Sequence, residues 1–281
     1  MGADAEIFVF GYERYRAEVV PALVRLLRTG EVVPWLGEVF RRASPEGGYG
    51  YGVLWPQLAS QLRERPTDLV RYCTWLGPDL RYVGGRRATR AQLTCPSGTR
   101  PERGRCRFHR DGDRHAVEEL TALHEALVAV FCLGSSQFVG RTVAPAYYLP
   151  LLARQGVPDG DPLRELLGAL ATRGAVWGYR FGVTEGIHGW LTNAETVELA
   201  ARLDRLDLPR YEPTFAALAD VWRRAVGSTD EWQQVSLSFV RTVATIAAGD
   251  GRGLLWGNDV CPDVWRESLG LSEACFPPAV G

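Results

Sequence analysis

Residues 4–10, DAEIFVF, place Ile7 and Val9 on one side of an extended chain and Phe8 and Phe10 on the other, which predicts a short strand buried on both faces. From Tyr12 the spacing changes. Tyr12, Tyr15, Val19, Leu23, Leu26 and Leu27 recur at helical intervals and Thr29-Gly30 closes the run, so residues 12–28 read as an amphipathic helix. Pro21 inside it predicts a kink or a restart. A short helix is expected over about 34–42, and one or two more between Trp55 and Leu76. The strongest stripe runs from His115 to Leu133, where Val117, Leu120, His124, Leu127, Val128 and Phe131 share a face and Gly134 offers a C-terminal cap. On that stripe His124 reads as a core histidine.

Asp161-Pro162 opens a further helix that should end at Gly174. AVWGYRFGV at 175–183 alternates like a strand. Thr192 with Glu195 forms a capping box for a helix ending before Pro209, and Ser228 with Glu231 forms another for a long helix carrying Trp232, Val235, Phe239, Val243 and Ile246. GLLWG at 253–257 predicts a buried strand. The pattern describes a helix-rich α+β chain, its small sheet built from strands distant in sequence and packed with amphipathic helices. It divides into an N-terminal α/β part, 1–114, and a helical α+β part, 115–281, or forms one compact domain.

The order helix, strand, capped helix, helix, long helix, strand over about 162–259 includes LTNAETVELAARLDRLD and closes on GRGLLWG. In that order it resembles the YfbM-like family of small bacterial proteins. The likeness spans about a third of the chain, and that family's obscure function lends no chemistry.

Composition narrows the chemistry. All 32 basic residues are arginine, as a GC-rich bacterial genome would favour. Without lysine there is no internal aldimine with pyridoxal phosphate, no Schiff-base aldolase and no phosphate-loop lysine. SPEGGYGYG at 44–52 lacks the third glycine of a dinucleotide fingerprint. The longest charge-free apolar run, Ala126 to Gly140, is too short to span a bilayer. The acidic start, MGADAEIFVF, has neither the basic region nor the apolar core of a signal peptide. These features lead us to expect a soluble cytoplasmic protein with no membrane partner, whose six cysteines are thiols or metal ligands.

The charge is unevenly spread. Ten arginines lie between Arg81 and His115 against three acids, while the rest of the chain is acidic. Residues 77–114 also lack sustained periodicity, which suits a functional or tied-down segment. Over residues 95–115, Cys95, Cys106, His109 and His115 are spaced C-x10-C-x2-H-x5-H, with Cys73 upstream. Tetrahedral zinc takes four such ligands, often with one close pair. Cys106 and His109 supply the pair, Cys95 a third ligand, and either Cys73 or His115 the fourth; a solvated Arg-rich loop is the alternative.

Two other stretches carry candidate chemistry. Glu185 and His188, in YRFGVTEGIHGWLT, form a possible acid–base pair flanked by glycines, with Trp177, Tyr179 and Trp190 as pocket lining. The plainer alternative is a turn in which His188 bonds to backbone. Ser135, Ser136, Gln137 and Arg141 form a polar segment suited to a carboxylate or phosphate, or else an ordinary interhelix loop.

The first reading is therefore an intracellular binding or interaction protein, with a zinc-held Arg-rich segment and an unknown protein or small anionic ligand as partner. The alternative is an enzyme using His188 and Glu185 on an anionic substrate. A second alternative is nucleic-acid binding through residues 81–115, disfavoured by sparse aromatic interleaving and the acidic remainder.

Overall fold

A computed structural model describes residues 5–42, 51–64, 114–140, 145–173, 186–224, 229–258 and 260. In chain order its elements begin with strand β1 (Ala5–Phe10), helix α1 (Tyr12–Arg14), a π-helical turn (Tyr15–Val19) and helix α2 (Val20–Thr29). Helices α3 (Pro34–Arg42), α4 (Tyr51–Glu64) and α5 (Arg114–Cys132) follow, then strand β2 (Leu133–Gly140) and helices α6 (Pro145–Arg154) and α7 (Pro162–Thr172). The remaining elements are β3 (Gly186–Leu191), α8 (Asn193–Leu203), α9 (Phe215–Arg224), α10 (Thr229–Gly249) and β4 (Gly253–Asn258). The fold is helix-rich α+β, and no helix among the described residues is long and apolar enough to cross a membrane.

Contacts cluster the chain into two compact units whose boundaries differ from the 114/115 division that the sequence suggests. One comprises Met1–Tyr12, Leu133–Gly174 and Thr184–Asp259; the other comprises Glu13–Cys132, Ala175–Val183 and Val260–Gly281. The first holds an antiparallel sheet of order β2-β1-β4-β3. β1 pairs with β4 in unbroken register, Ala5 opposite Asn258 and Phe10 opposite Gly253. Because side chains alternate along a strand, β1 buries Ala5, Ile7 and Val9 on one face and Phe8 and Phe10 on the other, as its sequence predicts.

On the first face, Ile7, Val9, Leu254 and Trp256 join one core with Leu163, Leu166, Leu167 and Leu170 of α7 and with α8 and α10. The 3–4 spacing of those α7 leucines is the helical stripe that a sheet-packed helix requires. α10 departs from the expected stripe, since residues 236–244 are buried all round. It packs against β1, β2 and β4, and also against α6 and α8. Three of its buried polar residues have carbonyl partners. Ser238 donates to the Gln234 carbonyl (2.7 Å) and Thr242 to the Ser238 carbonyl (2.8 Å), while the Arg241 guanidinium donates to the Leu208 and Pro209 carbonyls after α8.

Two caps appear as predicted. Asp161 accepts from the Leu163 amide at 2.7 Å, and Thr192 and Glu195 form the reciprocal box at the start of α8. Arg173, just past α7, adds a link that spacing did not reveal. It grips Glu195 with two hydrogen bonds (2.6 and 2.7 Å) and donates to the Trp190 carbonyl of β3 at 3.3 Å. Burial alone would raise the Glu195 carboxyl. The Arg173 hydrogen bond and charge, with the Thr192 donors, outweigh it and hold the group below its usual range.

In the second unit Gly30 ends α2 in the left-handed conformation, as Thr29-Gly30 implies. Pro21 lies in the first turn of α2, where the α-helix resumes after the π turn, in keeping with the restart its position predicts. The π turn lies immediately before it, with the Val20 N–H donating five residues back to the Tyr15 carbonyl. Proline has no N–H and crowds the carbonyl four residues earlier, so a widened turn relieves both problems. α5 runs from Arg114 to Cys132 and passes directly into β2. Gly134 is thus a strand residue rather than a cap. His124 is buried on α5, and its Nε2 meets the Tyr15 hydroxyl at 3.2 Å.

Removing the Arg173 partner should be costly. Glu195→Gln is expected to lower stability by about 1–3 kcal/mol in urea melts at pH 7. Because the folded-state carboxyl is depressed, its contribution is present above the unfolded pKa and lost as the pH falls through the folded value. The variant should therefore approach wild type in acid. His124 titrates in a separate window. Burial lowers its pKa to about 4, so its contribution is complete above about pH 6.5 and is lost as the pH falls toward 4, to a total of about 3 kcal/mol. His124→Leu should flatten the stability profile between those pH values.

Candidate functional site

β3, GIHGWL, is the edge strand that carries His188. It begins at Gly186, whose φ of 87° lies in the left-handed region. Ile187 faces Gly257 and Gly189 faces Trp256, so the register slips by one residue at His188. Such a bulge re-aims a side chain. The His188 ring comes to lie over Trp256, 4.4 Å between centroids and tilted by 35°. Both are buried, His188 with 6% and Trp256 with 3% of its surface exposed.

Glycine at 189 is a packing requirement. A Cβ there would overlap the Ala169 and Leu170 carbonyls in the last turn of α7. Trp190, expected to line a pocket beside His188, faces the other side of the sheet, where its ring meets Phe10 at 6.5 Å. The segment around His188 is therefore a paired strand and not a turn. Its all-buried GIHGWL pattern gives no alternation from which a strand could be read.

Ser135, Ser136 and Gln137 also lie in a strand, β2, instead of a loop. Gln137 pairs with Ile7 and Ser136 with Phe8, so consecutive residues take opposite faces. β2 and β3 are the two edges of the sheet, with β1 and β4 between them. Three strand spacings separate them by about 14 Å. One small substrate at His188 would not reach the Ser135–Gln137 backbone. Polar residues are tolerated on β2 because an edge strand needs only one hydrogen-bonded neighbour.

Glu185, Arg141, Trp177 and Tyr179 lie outside the described residues, as do the proposed metal ligands Cys73, Cys95, Cys106 and His109. His115 is the second residue of α5. Among the described residues no cluster of three or more His, Cys, Asp or Glu side chains could hold a metal ion. Cys132 is buried, and burial pushes its thiol well above the usual range.

The polar features that sequence reasoning missed lie on β4. The Trp256 Nε1 and the Asn258 Oδ1 are buried with no hydrogen-bond partner. GLLWG marks the strand, but only its pairing shows that Trp256 and Asn258 share a face with the His188 ring.

Two substitutions separate packing from chemistry in β3. Gly189→Ala should cost more than about 3 kcal/mol, because backbone carbonyls cannot yield to the added methyl. His188→Ala loses the ring stack on Trp256 and should cost about 1–2 kcal/mol in the same melts. Comparison of the chain with protein-family models, with curated protein sequences and with solved structures finds no match.

Proposed function

We propose that this chain is a cytoplasmic binding or interaction protein. Its segment 81–115 is a zinc-held, arginine-rich platform for an anionic partner, either an acidic protein surface or a small anionic ligand. The observation that carries the reading is the coincidence of C-x10-C-x2-H-x5-H with ten arginines in one stretch. Two or three thiolates on zinc leave the centre neutral or anionic, and neighbouring guanidinium groups offset that charge. The position of His115 in the first turn of α5 supports the reading, because a knuckle closing on it would be anchored to a helix buried over residues 122–129. Cys95, Cys106 and His109 supply the other ligands, with Cys73 in reserve for the fourth.

The separation of His188 from Ser135 and Gln137, and the burial of the imidazole against Trp256, weigh against the enzyme reading. For catalysis by His188 with Glu185, the ring would have to leave that stack to meet a substrate.

Metal content by mass spectrometry, on protein purified without an affinity metal, tests the proposal when paired with a thiol titration. One zinc per chain is expected, with two or three further thiols becoming reactive on chelation; Cys106→Ser should lose the metal. Buried Cys132 stays unreactive while the protein is folded, so a metal-free chain would show five fast thiols rather than six. That result would defeat the knuckle. Binding to a duplex oligonucleotide that falls steeply with salt would instead favour nucleic acid as the partner.

A further inference from the structure

We draw no further inference here: the strongest candidate, the uncharged outer edge of strand β2 around exposed Ser135, carries nothing because its register on β1 shifts twice and nothing in the structure shows what covers it.

Discussion

The sheet-bearing unit depends on β1 having a hydrogen-bonded neighbour on each side and apolar residues on both faces. Residues 5–10 pair with 253–258 on one edge and with 133–140 on the other. No short connection makes either pairing. The loop-closure entropy of bringing such distant segments together must be met before the strand contacts repay it. The repayment is large because Ile7, Phe8, Val9 and Phe10 are all removed from water. Once β1 and β4 are paired, α10 lies on the sheet and β3 is fixed at the far edge.

That arrangement explains why polar residues occur in such an apolar setting. Ser238 and Thr242 return their hydroxyl hydrogens to the helix that carries them, and Arg241 serves carbonyls after α8, so a helix buried all round leaves these groups satisfied. Arg173 performs a similar service, tying the end of α7, a β3 carbonyl and the α8 capping box together. Trp256 and Asn258 stand apart. Trp256 belongs to the same core, and its Nε1 and the Asn258 Oδ1 are among the buried side-chain atoms left without a partner. In the second unit the π turn before Pro21 solves a different local conflict, keeping a helix continuous where proline would otherwise break it.

The chemistry that spacing suggested is redistributed by pairing. His188 and the Ser135–Gln137 segment look like parts of one polar site when each is taken as a loop. In the sheet they are opposite edges, and a single bulge decides that the imidazole meets Trp256. Trp190, two residues away, would share the His188 face in a regular strand, and the same bulge leaves it on the other.

Local patterning was sufficient for much of the fold. The double-sided apolar run of β1, the Thr29-Gly30 stop, the Asp161-Pro162 start, the Thr192–Glu195 box and the GLLWG strand are each set by interactions within a few residues, and each is legible in the sequence. β2 and β3 were not. Their glycines and polar residues carry no period, and they are extended only because β1 and β4 present backbone partners. The Arg173–Glu195 pair and the burial of α10 on every side likewise bring together residues far apart in the chain. Sequence alone determined the α+β class, the caps and the chemistry denied by the absence of lysine. Tertiary structure decided which polar groups meet, because hydrogen-bond partners and faces in a sheet are assigned by register between strands, and register is not written in any one strand.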